Sequence, residues 1–226
     1  MAEREIDLEG LTPGLLVRPR NAKALYVLAH GAGAGMRHEF MQSIADALAD
    51  HAIATLRWEF PYMAAGKPRP DTPAVAEAAV QAVWAASAKL ARDSRAAGAT
   101  PLPRFAGGKS FGGRMTSRSH AATPLADLRG LIFLGFPLHP PDKPGIERAE
   151  HLAAAAGPML FLQGTRDDLA DLKLLRPVIK KLGARATLHI VDHADHGFDV
   201  LVRSGRTPDD VMSELATTIA EWIAAH

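Results

Sequence analysis

Residues 107–113 read GGKSFGG, and two chemistries compete for them. Ending on Gly108-Lys109-Ser110, the stretch looks like the tail of a phosphate-binding loop, G-x-x-x-x-G-K-[ST], whose backbone N–H groups cradle phosphate. Centred on Ser110, Gly108-Lys109-Ser110-Phe111-Gly112 is G-x-S-x-G, the strand-to-helix turn that presents a nucleophilic serine. The phosphate loop needs a glycine five positions before Gly108. That position is Pro103, with a fixed φ and no N–H to aim at a phosphate. The strand expected at 102–106 also leaves the loop no room. The serine reading stands.

A serine hydroxyl is a weak nucleophile at neutral pH. It needs a base, and the base needs an acid to orient it. Where such residues sit on loops after successive strands, the chain order is serine, acid, histidine. After the apolar run 159–162 comes Gln163-Gly164-Thr165-Arg166-Asp167-Asp168. After 187–191 comes Asp192-His193-Ala194-Asp195-His196-Gly197-Phe198. Asp167 and His196 are the candidate acid and base, with Asp168 and His193 as alternatives. His193-x-x-His196 also has the spacing of a metal pair, but no third ligand lies at a telling distance.

The tetrahedral intermediate of acyl transfer carries a negative charge that fixed N–H donors must meet. One donor is expected from Phe111, the residue after the serine. The second should come from His30-Gly31-Ala32-Gly33-Ala34-Gly35-Met36, with Ala32 the first candidate and Gly33 the second. The same loop invites a dinucleotide fingerprint, G-x-G-x-x-G/A. Its third site would hold Met36, or His38 in the shifted frame, and both are too large for close helix–strand packing. His30 is expected to hold the loop rather than to react.

The elements that must position these residues alternate along the chain. Short apolar runs at 25–29 (after Ala24), 53–56, 102–106, 131–136, 159–162 and 187–191 read as strands buried on both faces of a parallel sheet. Helical patterns lie between them. Residues 38–50 place Phe40, Ile44, Ala47 and Leu48 on one face. A helix is expected from Pro73 to about Arg95 with the stripe Val75, Ala79, Val83, Leu90, widened by Val80 and Trp84. Another follows the serine over about 110–121. The last opens at Thr207-Pro208 with Asp209 and Asp210 in its first turn, and its stripe is Val211, Leu215, Ile219, Trp222. Two short pieces near 3–8 and 14–18 suit an antiparallel edge. This alternation predicts a doubly wound, mostly parallel α/β sheet with helices on both faces, in one domain over 1–226.

Composition narrows the function further. The chain has 226 residues, 47% of them hydrophobic and 23% charged, which is ordinary for a globular protein. A net charge of +1 with scattered Lys and Arg gives no footprint for nucleic acid or an anionic membrane. Cysteine is absent, which excludes disulfides, thiolate metal sites and a cysteine nucleophile. The start, MAEREIDLEG, has no apolar stretch of the kind a signal peptide needs, and a cytoplasmic protein is expected.

Taken together, HGAGAGM at 30–36, LRWEFPYM at 56–63, GGKSFGGR at 107–114, GFPLHPP at 135–141, QGTRD at 163–167 and DHGF at 195–198 resemble an α/β-hydrolase. More narrowly, the chain is similar to small, cap-less, dienelactone-hydrolase-like members, and to a hydrolase-like component of an animal histone-acetyltransferase complex. The resemblance implies the α/β-hydrolase fold without a large cap, and a triad of Ser110, Asp167 and His196. It implies a carboxylic ester or thioester substrate and no metal or organic cofactor. Dienelactone hydrolases proper use a cysteine nucleophile, which this chain lacks, so their substrate is not implied. The alternative is a catalytically silent binding or scaffold protein. Loops 58–70 and 136–150 fall beside the site, and Phe60, Tyr62, Met63, Phe136 and Leu138 are candidate pocket walls or core. As walls they would favour a small apolar substrate. Lys109 and Arg114 flank the serine, as steering charges for an anionic substrate or in a structural or solvated role.

Overall fold

In the computed structural model, which describes residues 3–8, 10–92 and 100–226, the apolar runs form one eight-stranded sheet. Its strands are β1 (Arg4–Asp7), β2 (Pro13–Val17), β3 (Ala24–Ala29), β4 (Ile53–Trp58), β5 (Arg104–Lys109), β6 (Leu128–Leu134), β7 (Met159–Gly164) and β8 (Ala186–Val191). They lie in the order β1-β2-β4-β3-β5-β6-β7-β8. β2 pairs antiparallel with β1 and with β4, and every other pairing is parallel. The two N-terminal pieces are therefore the antiparallel edge, and β3 to β8 are the parallel body.

Helices cover both faces, as a sheet apolar on both sides requires. Helices α1 (Glu39–Asp50) and α6 (Pro208–Ala224) pack Met41, Ile44, Leu48, Val211, Leu215 and Ile219 on one face. On the other lie α2 (Pro61–Ala64), α3 (Pro73–Arg92), α4 (Phe111–Ala122) and α5 (Leu172–Leu182), with Val80, Val83, Trp84, Met115 and Leu175 in the second core. A 3₁₀ helix at Glu147–Ala153 packs beside α4. The α6 stripe is buried as expected, and its start is closed by a capping box. Thr207 Oγ1 accepts from the Asp210 N–H, and Asp210 accepts from the Thr207 N–H.

Several boundaries differ from the sequence expectation for physical reasons. β5 is shifted from 102–106 to 104–109, because Gly107 and Gly108 continue the strand rather than turn. Gly108 has φ +151, and a Cβ there would sit 2.1 Å from the Ala29 carbonyl oxygen on β3. β6 ends at Leu134 instead of 136, where Gly135 turns out of the sheet at φ +68. In α3 the buried face is Ala76, Val80, Val83, Trp84, Ser87 and Ala91, and Val75 is 44% exposed. The expected end of this helix at 93–95 lies outside the described residues. Phe40 and Ala47 are only half-buried in α1, whose core face is completed by Met41 and Ala45. Helix α5 carries Pro177 in its interior, which hides it from a pattern search, yet Asp171 caps it by accepting from the Lys173 N–H at 2.8 Å.

Candidate active site

Chain order reverses at β3, whose neighbours are β4 on one side and β5 on the other, so a crevice opens at the carboxyl ends of the strands there. Ser110 stands at that point, between the end of β5 and the first residue of α4. Its backbone lies at φ 48°, ψ −115°, a conformation a non-glycine residue holds only when its surroundings impose it. The imposition is steric. A Cβ on Gly112 would sit 2.5 Å from the His30 carbonyl oxygen, so the turn closes only with glycine beside the serine.

Three loops converge on this turn. Asp167 follows β7 and His196 follows β8. His196 Nε2 lies 2.8 Å from Ser110 Oγ, and His196 Nδ1 lies 2.8 Å from Asp167 Oδ2. A carboxylate only accepts, so Nδ1 carries the proton and the Nε2 lone pair faces the serine hydroxyl. The Asp167 side chain is fully buried and both of its oxygens accept hydrogen bonds. Oδ1 accepts from the Leu169 N–H at 2.8 Å, and Oδ2 accepts from the Gln163 side-chain amide as well as from His196. Gln163 had no signal in the sequence beyond its place at the end of β7.

The alternatives fall elsewhere. Asp168 is exposed and outside this hydrogen-bonded chain. His193 is exposed at φ 64°, and its backbone ties the loops after β7 and β8 together. Its N–H donates to Thr165 Oγ1 at 2.8 Å, and its carbonyl accepts from Arg166 at 3.0 Å. Among the described residues no group of three or more His, Cys, Asp or Glu is placed to hold a metal ion.

The loop after β3 is pinned peptide by peptide. The Phe60 N–H donates to His30 Nε2 at 3.0 Å, so His30 Nδ1 carries the proton and donates to the Gly31 carbonyl at 2.7 Å. Burial lowers the His30 pKa and keeps the ring neutral. The Tyr62 hydroxyl donates to the Ala32 carbonyl at 2.8 Å, and burial, the largest cause, pushes its pKa up to about 12. In a trans peptide the N–H points opposite to the C=O. The N–H groups of Ala32 and Gly33 are thus turned away from His30 and Tyr62, in a loop that borders the same cleft as Ser110. The Phe111 N–H is the first of α4 and has no acceptor within the helix.

Lys109 has a structural role rather than a solvated one. Its ammonium donates to the His196 carbonyl and lies 5.3 Å from the Phe198 ring centre and 5.8 Å from that of Phe40. Burial lowers its pKa to about 8, only partly offset by the negative charges of Asp167, Asp195 and Asp199. Asp195 Oδ1 in turn accepts from the N–H groups of Gly197 at 2.8 Å and Asp199 at 3.0 Å, closing the turn that carries His196.

A cleft of about 670 Å³ opens beside Ser110 and His196, with Phe40, Met41, Phe198, Val211 and Met212 among its walls. Phe40 and Phe198 stack with ring centres 5.7 Å apart. Phe60, Tyr62, Phe136 and Leu138 do not line it, which corrects the sequence expectation. Each is at most 1% exposed. Phe60 packs edge-on against His30 and Phe111, with ring centres 5.1 Å away in both cases, and Phe136 packs on Phe133 and Phe161. Their loops are apolar because they seal the second core.

A family model for the alpha/beta hydrolase domain matches residues 22–224, and the chain belongs to that family. The fold recurs in solved structures at low identity. A dienelactone hydrolase from Anabaena variabilis superposes with a TM-score of 0.72 at 16% identity, covering 100% of this chain and 97% of that one. An alpha-beta serine hydrolase homologue from Coxiella burnetii gives 0.70 at 17% identity, with 97% and 96% covered. A lid-less a/b serine hydrolase from Xanthomonas campestris gives 0.66 at 18% identity, with 98% and 94% covered. This chain likewise carries no large cap over the carboxyl edge of its sheet among the described residues. Among them, no helix is long and apolar enough to cross a membrane.

Proposed function

We propose that this α/β hydrolase is a serine hydrolase of carboxylic esters or thioesters, working through an acyl-enzyme on Ser110. The observation that carries the reading is the relay Ser110 Oγ–His196 Nε2 and His196 Nδ1–Asp167 Oδ2, each 2.8 Å. Ser110 Oγ attacks the carbonyl carbon while its proton passes to His196 Nε2. Asp167 keeps the ring in the tautomer that can accept and stabilises the imidazolium that forms. The oxyanion is met by the N–H groups of Phe111 and Ala32, with Gly33 the neighbouring donor. Collapse breaks the carbonyl–oxygen or carbonyl–sulfur bond, and His196 returns the proton to the departing alcohol or thiol. Water, deprotonated by His196, then releases the acid and restores Ser110.

The cleft supports a small-molecule substrate whose apolar part contacts Phe40, Met41, Phe198, Val211 and Met212. A panel of p-nitrophenyl esters of increasing acyl length, with one thioester, tests the reading. Turnover is expected for the shorter esters and lost in Ser110→Ala and His196→Ala. Turnover that survives Ser110→Ala, or none at all from folded protein, contradicts it.

A further inference from the structure

Helix α4 carries arginines at positions 114 and 118, four residues apart and therefore on one face, in line with Ser110 four residues earlier. The 3₁₀ helix at 147–153 packs against that face. Its His151 Nε2 lies 2.7 Å from Ser117 Oγ, between the two arginines along α4. The Ser117 hydroxyl donates to the Arg114 carbonyl at 3.0 Å, so His151 is the donor in that contact. In a 3₁₀ helix residues three apart eclipse one another, which sets Arg148 on the same edge as His151, toward α4. Three guanidinium groups thus meet along one seam.

Their compensation is incomplete. Glu77 pairs with Arg118 Nε at 2.7 Å. Among the described residues neither Arg114 nor Arg148 is ion-paired, and Arg114 Nε is buried without a hydrogen-bond partner. Glu147 and Glu150 of the 3₁₀ helix are exposed. The repulsion is felt at Arg114 and at His151. Burial first, then the charges of Arg148 and Arg118, lower the Arg114 pKa to about 10, and burial with Arg118 and Arg114 lowers His151 to about 4.

We infer that Arg114, Arg118 and Arg148 form a binding site for an oxyanion group, a carboxylate or phosphate, one helical turn from Ser110. A planar, forked guanidinium suits two oxygens of such a group, and among the described residues no carboxylate is paired with Arg114 or Arg148 to compete for it. The anion arrives either on the ester substrate or as a free ion. The first source rests on the hydrolase reading, and the second does not.

Two measurements on wild type, Arg114→Gln and Arg148→Gln separate these sources. The first is the shift in thermal midpoint with inorganic phosphate, at an ionic strength held constant with sodium chloride. The second is the ratio of kcat/KM for p-nitrophenyl hemisuccinate over p-nitrophenyl acetate. Arg148 lies outside α4, so its variant leaves the serine turn intact if Arg114→Gln fails to fold. Loss of a charge-assisted contact is expected to weaken the response about tenfold. A phosphate-induced shift in wild type that weakens in the variants, with an unaltered ester ratio, assigns the site to a free anion. A fall of the ratio by about tenfold assigns it to the substrate. No phosphate shift in wild type together with an unaltered ratio overturns the inference. If wild type turns over neither ester, the hydrolase reading fails and the phosphate measurement alone decides the site.

Discussion

Replacing Lys109 with methionine should make the protein more stable and a poorer catalyst. The ammonium is held at the cleft floor against the Phe40 and Phe198 rings, where burial lowers its pKa from 10.5 to about 8. At roughly 1.4 kcal/mol per pH unit, keeping it charged at pH 7 costs about 3 kcal/mol. Methionine has a similar length, fits between aromatic rings and carries no charge. It leaves the His196 carbonyl without its donor, a loss of about 1–2 kcal/mol. The net gain is about 1–2 kcal/mol, or a rise of roughly 2–8 °C in Tm for a chain of this size. The pH dependence has a definite sign. The folded pKa lies below the unfolded one, so the unfolded chain binds more protons between about pH 8 and 10.5. Wild-type stability therefore climbs across that window relative to the variant. Activity should move the other way. With the His196 backbone unpinned, kcat on p-nitrophenyl acetate is expected to fall by about ten- to a hundredfold. Thermal unfolding at pH 7 and pH 10 and initial rates on the same samples are sufficient. A Tm that falls at pH 7 with kcat unchanged would refute the reasoning.

Three further outcomes can be checked on the same system. Asp167→Asn should cost about 10³–10⁴ in kcat, because it disturbs the His196 tautomer, while Asp168→Asn and His193→Gln stay within about twofold. Comparable losses at Asp167 and Asp168 would mean that the acid is shared. Tyr62→Phe removes the hydrogen bond to the Ala32 carbonyl at 2.8 Å, and kcat should drop about tenfold with KM little changed. A pure KM effect would instead make Tyr62 a substrate contact. His151, lowered to about 4 by burial and by Arg118 and Arg114, binds fewer protons folded than unfolded between pH 4 and 6.5. Stability should fall on acidification through that window by about 1–2 kcal/mol after solvent screening, and His151→Gln should flatten the curve. Parallel denaturant curves at pH 7 and pH 4.5 decide it.

The parts of the site that could be read from the sequence are those encoded locally. Ser110, Asp167 and His196 each lie within a few residues of the end of a strand, so strand-then-loop order along the chain was enough to nominate the three residues that the fold brings together. The cleft walls carried no such signal. Phe40 belongs to α1 and Phe198 to the loop after β8, and only packing across the sheet end stacks them. Phe60, Tyr62, Phe136 and Leu138 misled because an apolar loop near a site and an apolar loop sealing a core have the same composition. Lys109 reads as a surface charge unless one knows that its neighbours Gly107 and Gly108 continue β5 inward. Pro177 hid α5 for a similar reason, since a helix interior tolerates proline only when tertiary packing outweighs the lost hydrogen bond.

The central claim is that Ser110 is an activated nucleophile, and the most direct measurement is intact mass after exposure to a fluorophosphonate. A single adduct on the wild-type protein, absent from Ser110→Ala and strongly slowed in His196→Ala, is the predicted result. A folded wild-type protein that takes up no adduct, or one labelled equally well without Ser110, would contradict the account.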